Sequence, residues 1–376
     1  MSSSGSGSAR LNPAPQPNEA TTPQERAVLE STQPHDNCQQ TTRLARQHER
    51  CTHLPSDSLK PPLRDRCRGA LLGLAIGDAL GTTLEFRPPG SFQPLTDMMG
   101  GGHFCLQKGY WTDDTSMALC LGHSLVACGG FDATDQMRRY CDWLDNGYMS
   151  SIGNCFDVGM TVSSALRRFQ KTGNPYAGAR AAWTSGNGSI MRLAPIAIAF
   201  QRHPAQAIAQ AIESSKTTHA APLCLDSCGL LAAILVALLH SADKSVLEQI
   251  DYAATTEPVQ RLQQGSWRHK QYAELTGSGF VIDCLEAALW CFWHTDNYAD
   301  CVLAAANLGN DADTTAAVAG QLAGACYGLD AIRSDWHQAL HQREAITALA
   351  DQLFELSLGM PRATESAPSP CAATTP

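Results

Sequence analysis

Gly69-Ala70-Leu71-Leu72-Gly73-Leu74-Ala75-Ile76-Gly77-Asp78-Ala79-Leu80-Gly81 reads as a helix written almost entirely in small and aliphatic residues. Glycine recurs every fourth residue, at 69, 73, 77 and 81, and so lies along one face. Each glycine lowers helix propensity, and a stripe of them predicts a second helix lying close against it. Beyond this stretch hardly any segment alternates with strand period. Residues 116–127, 132–144, 155–169, 223–240, 281–293, 299–307, 314–327 and 345–358 instead carry apolar residues at helical spacing. The pattern predicts an all-α, single-domain fold of about a dozen helices.

Two acidic clusters sit where apolar helices begin. Trp111-Thr112-Asp113-Asp114-Thr115 places adjacent carboxylates between two hydroxyls, and Gly309-Asn310-Asp311-Ala312-Asp313-Thr314-Thr315 repeats that composition far down the chain. Neighbouring carboxylates repel each other unless a cation or strong hydrogen-bond donors neutralise them. Oxygen-only ligands suit a hard divalent ion such as Mg²⁺, Ca²⁺ or Mn²⁺. Asp-Asp-Thr before a helix is also a good N-cap, because side-chain oxygens accept its free N–H groups. Either cluster alone fits both readings, whereas the pair together fits two halves of one metal site. An EF-hand is excluded, since its spaced acidic ligands and closing Glu are missing.

The chain has 376 residues, 44% hydrophobic and 17% charged, with a formal net charge of -9. It carries no block of basic residues, which argues against nucleic acid as a partner. Its 15 cysteines include no Cys-x-x-Cys pair and many lie within apolar segments, as expected of small hydrophobes in a reducing compartment. No apolar run is expected to cross a membrane, and the N-terminus lacks the apolar core of a secretory signal. Residues 1–59 and 362–376 are polar and weakly patterned and are expected to form a disordered leader and tail around a folded part at 60–361. The leader leaves room for nonclassical export as an effector, although a cytoplasmic monomer is the expectation.

Other candidates fall between helices. Asp78 lies on the tight glycine stretch and either faces a cleft or locks its helix to a neighbour; Glu85 follows the break at Gly81. The Pro- and Gly-rich loop over residues 87–110 is long enough to suggest a function. Asp157 is expected to open a helix. Ser185-Gly186-Asn187-Gly188-Ser189 is a glycine-rich turn whose N–H groups can hold an anion, without being a P-loop or a dinucleotide fingerprint. His219 stands at a helix entry, where a cap or a surface group is the plainer reading.

Taken in order, Gly69 to Gly81 with Glu85, Trp111 to Thr115, Gly186 to Arg192 and Gly309 to Ala317 resemble the ADP-ribosylglycohydrolase family, relatives of dinitrogenase reductase-activating glycohydrolase. The resemblance implies an all-α fold with a binuclear Mg²⁺ or Mn²⁺ cleft and hydrolysis of the bond joining ADP-ribose to a protein side chain. It implies that Thr112, Asp113, Asp114, Asp311, Asp313 and Thr314 ligate two metals. It makes Asp157 the acid/base group, with Glu85 a further carboxylate near the first metal or its water. Gly186, Asn187, Gly188, Ser189 and His219 would line the ADP-ribose pocket. ADP-ribosyl-arginine is the expected substrate; a serine or other O-linked bond, an ADP-ribosylated small molecule, and a non-catalytic ADP-ribose reader are the alternatives.

Overall fold

Backbone packed on backbone organises the centre of the molecule. The computed structural model describes residues 60–360, so the expected leader and tail lie outside the described residues. Helix α1 (Leu63–Gly81) runs antiparallel to α11 (Ala312–Tyr327), and the glycine stripe is the contact. Gly69 meets Gly324, Gly73 meets Gly320, Gly77 meets Ala316 and Gly81 meets Ala312. A Cβ on any of the four glycines would overlap the carbonyl oxygen opposite it. The Tyr298 hydroxyl donates to the Gly73 carbonyl at 2.7 Å and adds a side-chain tie to the pair.

Around this pair lie α2 (Asp113–Cys128), α3 (Ala133–Asn146), α4 (Met160–Thr172), α5 (Ala194–Ala199) and α6 (Pro204–Lys216). They are followed by α7 (Pro222–Ser241), α8 (Glu257–Gln263), α9 (Val281–His294) and α10 (Tyr298–Ala306). After α11 come α12 (Ser334–Ala339) and α13 (Arg343–Gly359). The buried apolar side chains form one continuous core, and no sheet occurs among the described residues. Because α1 from Gly69 onward and α11 are small or apolar on nearly every side, they can only be central, and almost all of both is buried.

The expected helices are present, with three differences. Helix α4 starts at Met160, so Asp157 does not open it; Asp157 lies in the preceding loop with a left-handed backbone, φ 55°. Helices α6, α8 and α12 have no counterpart in the sequence reading. Against the expectation that no run reaches membrane length, α7 is long and apolar enough by composition, with mean hydropathy 2.2 over its apolar window. Most of that window is buried inside the fold, as in the core helix of a soluble protein. The 12 cysteines among the described residues are all free thiols and mostly buried, as their small apolar role requires.

Helix α7 also carries a buried polar tie. Asp226 accepts hydrogen bonds from the Tyr252 and Thr256 hydroxyls and from the backbone N–H groups of Thr255 and Thr256, capping α8 from outside. Burial raises its pKa, but these bonds outweigh burial and hold it below the ordinary carboxylate value.

Gly77→Ala should lose about 3 kcal/mol or more in denaturant unfolding, because the new methyl meets a carbonyl of α11 that cannot yield. Gly359→Ala, with open space at its Cβ, should change stability by less than about 1 kcal/mol.

Candidate metal centre and binding cleft

The α1–α11 contact brings the ends of both helices to the start of α2. Asp78, fully buried on α1, accepts from Thr112 N and Thr112 Oγ1 at 2.9 Å through one oxygen. Through the other it accepts from Thr115 N at 3.0 Å and Thr115 Oγ1 at 2.6 Å. Asp78 therefore caps α2 from a different helix and is the locking carboxylate of the two readings open for it. Thr112 occupies the N-cap position and makes no side-chain cap bond. Asp113 and Asp114 are thereby free of capping. Asp311, at the N-cap position of α11, likewise makes no cap bond; its Oδ2 accepts from Asn187 Nδ2 at 2.8 Å. The N-cap explanation fails for both clusters.

The two clusters meet. Single oxygens of Asp78, Asp114 and Asp313 lie within 4.8 Å of one another, as do those of Glu85, Asp157 and Asp313. Asp313 belongs to both groups. Thr314 Oγ1 donates to Asp114 Oδ1 at 3.1 Å, and Thr112 Oγ1 lies 3.3 Å from Asp313 Oδ2. Asp114 Oδ2, Asp313 Oδ1 and Glu85 Oε2 are buried with no hydrogen-bond partner. Among the described residues, no Lys or Arg forms an ion pair with any of these carboxylates. Buried, orphaned carboxylate oxygens without a cation are costly. An oxygen-only donor set of this kind fits a hard divalent ion, and Asp78 with all its hydrogen bonds made fits it least.

Electrostatics point the same way. Burial first, then the neighbouring carboxylates, pushes Glu85 up to about 9 and Asp157 up to about 7. The same causes raise Asp113, Asp114 and Asp313 well above their ordinary value. Asp78 is raised by burial but held to about 6 by the bonds from Thr115 and Thr112.

A cleft of about 760 Å³ opens over this centre, a size within the usual range of ligand sites. Glu85, Asp113, Asp157, Asp311, Asp313 and Thr314 line it. Gly186, Asn187, Gly188 and His219 line it as well. Three expected residues do not line it: Thr112, Ser189 and the fully buried Asp114. Ser189 is buried with its hydroxyl turned inward, taking a bond from Cys228 Sγ at 3.3 Å, and Thr112 lies beneath the floor. In the glycine turn, Gly186 N and Asn187 N donate to the carbonyls of Thr184 and Gly279. Among the described residues, the N–H groups of Gly188 and Ser189 find no partner, which narrows the expected anion cradle to these two.

His219 is buried, and its ring packs so close to Gly188 that a side chain there would collide with it. Burial, with help from Arg192, lowers its pKa to about 3, so the ring is neutral. Arg192 Nη2 donates to Thr218 Oγ1 at 2.7 Å, which leaves the Thr218 hydroxyl to donate to His219 Nδ1 at 2.9 Å. That arrangement uses the Thr218 hydroxyl hydrogen and favours the tautomer with the proton on His219 Nε2, a donor on the side of Gly186 and Gly188. The sequence reading missed this relay. It also missed Gly277 and Gly279, whose carbonyls accept from Asp311 N and Asn187 N; their close Gly-Ser-Gly spacing was the available signal.

The profile of the ADP-ribosylglycohydrolase family matches residues 59–362. The chain belongs to the ADP-ribosylglycohydrolase family. The chain is 43% identical over 293 residues to the ADP-ribosylarginine hydrolase Tri1 of Serratia proteamaculans, covering 78% of this chain and 80% of that one. It is 34% identical to the ADP-ribosyl-[dinitrogen reductase] glycohydrolase of Rhodospirillum rubrum, covering 75% of this chain and 92% of that one. A solved structure titled ADP-ribosylglycohydrolase-related protein complex matches with TM-score 0.70 and 41% identity, covering 78% of this glycohydrolase and 99% of that chain. The all-α glycohydrolase fold is thus that of a family of metal-dependent enzymes, and this chain carries a cluster of acidic residues able to hold metal.

The raised carboxylates give a pH signature. A folded-state pKa above the unfolded value means that the folded protein holds extra protons, so metal-free stability falls as pH rises from near 4 toward 9. A bound cation favours the ionised forms. Thermal unfolding of the metal-free glycohydrolase should show Tm falling from pH 5 to pH 8, and Mg²⁺ or Mn²⁺ should raise Tm more at pH 8. A flat metal-free Tm with no response to cation would contradict this account of the centre.

Proposed function

We propose that this glycohydrolase removes ADP-ribose from modified arginine side chains of proteins, using two divalent ions, Mg²⁺ or Mn²⁺. One observation carries the reading: clusters some 200 residues apart join around buried, unpartnered carboxylate oxygens beside a cleft with a neutral donor wall. The arginine linkage is supported by the name of the Serratia relative, and a modified protein as substrate by that of the Rhodospirillum relative. Asp113, Asp114, Asp311, Asp313, Thr314 and Thr112 would hold the ions, with Glu85 beside them. Bound there, the ions supply Lewis acidity and orientation to the ribose hydroxyls and to the attacking water.

The protein's own groups do the rest. Free N–H groups of Gly188 and Ser189 bind the diphosphate, and His219 Nε2–H adds a donor that costs no rearrangement, its tautomer being favoured in advance. Asn187 holds Asp311 in place while facing the cleft. Asp157, half-buried and near Glu85 and Asp313, moves the proton needed to activate water or to release the guanidine. Its left-handed backbone aims it from a loop instead of a helix start. Free buried thiols accord with a cytoplasmic monomer whose partners are ADP-ribosylated proteins, with no nucleic acid or membrane involved.

Two variants separate the parts. Asp157→Asn should lose about 10²–10⁴-fold in kcat on arginine-modified protein while still binding ADP-ribose. Wild-type turnover would remove Asp157 from the proton step. Thr218→Val should weaken ADP-ribose binding about threefold to tenfold by calorimetry, because His219 loses the partner that favours its donor tautomer. Unchanged affinity would show that His219 does not touch the ligand.

A further inference from the structure

The long loop over residues 87–110 and the neighbours of two cleft carboxylates build an aromatic collar that the roles above leave unused. Phe86 follows Glu85, Phe156 precedes Asp157, and His103 and Phe104 come from the loop. The rings meet edge to face, with centroids 5.0 Å apart for Phe86 and His103, 5.0 Å for His103 and Phe104, and 5.1 Å for Phe104 and Phe156. Phe86, His103 and Phe104 line the same cleft as Glu85 and Asp157.

Phe86 is costly where it stands. Its side chain is 58% exposed and its backbone is left-handed, φ 60°, a conformation that bulky residues rarely adopt. Two backbone hydrogen bonds hold it there: Phe86 N donates to Asn310 O at 2.6 Å, and Asn310 N donates to Arg87 O at 2.8 Å. The ring is thus tied to the segment that carries Asp311. Neither burial nor local preference accounts for an exposed ring on a strained backbone at a cleft mouth; a ligand contact does.

The chemistry of the surroundings selects that ligand. The glycine turn and His219 offer neutral N–H donors suited to phosphate oxygens, and Asn187 of that turn is hydrogen-bonded to Asp311. The collar flanks Glu85 and Asp157 in the chain and lines the same cleft, where aromatic rings, whose faces carry negative potential, stand among acidic groups. That combination suits a flat, delocalised cation. Resting on the arginine reading above, we propose that Phe86, braced by His103 and Phe104, is the subsite that grips the guanidinium of the target arginine. It selects that linkage over one to a neutral hydroxyl.

The test compares Phe86→Leu, Phe86→Trp and Phe104→Leu in the full chain, measuring kcat and KM on an arginine-ADP-ribosylated peptide together with the dissociation constant of ADP-ribose alone. Phe86→Leu keeps the apolar bulk and loses the ring face; kcat/KM should fall about fivefold to twentyfold, mainly through KM. Phe86→Trp should stay within about twofold of wild type, because the face is kept. Affinity for ADP-ribose, which lacks the target side chain, should hold within about twofold in all three. If Phe86→Leu does not fold, Phe104→Leu should show the same KM effect at reduced size. Wild-type kinetics in an active Phe86→Leu would overturn the inference alone. A parallel loss of ADP-ribose affinity would also overturn it by assigning the ring to the nucleotide. Absence of release from the arginine linkage by the wild type would overturn the proposed function, and the guanidinium subsite with it.

Discussion

The direct backbone contact between α1 and α11 is the constraint from which the site follows. Glycines at 69, 73, 77 and 81 let the two helices approach until side chains have no room between them. Two apolar helices packed with ordinary side chains would sit about 8–10 Å apart along their whole length. Closer approach at Gly77 and Gly81 sets Asp78 at the end of α1 near Asp313 at the start of α11. The glycines are therefore part of the metal centre's geometry although none touches the cleft.

Division of labour among carboxylates is the second consequence. Asp78 makes the hydrogen bonds that a helix start requires, and so relieves Asp113 and Asp114 of that task. Asp226 does the same for α8, with the opposite electrostatic outcome: its bonds overcome burial, whereas in the cleft burial and mutual repulsion dominate. A stable protein would pair or remove such oxygens. Keeping several unpartnered beside one another makes structural sense only with a cation among them.

The sequence carried the helices and the site composition because both are local. Glycine spacing, apolar periodicity, adjacent aspartates and the Gly-Asn-Gly turn are short-range patterns, and their order suffices to name the family. What the sequence left open depends on partners distant in the chain. Cap or ligand could not be decided for Asp113 and Asp114, because the true cap lies on another helix. Asp157 was expected at a helix start, but its left-handed backbone belongs to a loop whose conformation no local pattern dictates. Ser189 looked like a pocket residue until the fold turned its hydroxyl toward Cys228. For α7 the expectation that no run reaches membrane length failed on composition itself, and only the fold shows that neighbouring helices bury most of it. The Arg192–Thr218–His219 relay joins a turn to a helix end and leaves no trace in spacing.

Release of ADP-ribose from an arginine-ADP-ribosylated protein by the wild-type chain, before and after chelation and again after adding back Mg²⁺ or Mn²⁺, tests the central claim most directly. The account predicts release that stops with chelator and returns with the cation. Undiminished release in chelator would contradict the assignment of the joined carboxylates to metal.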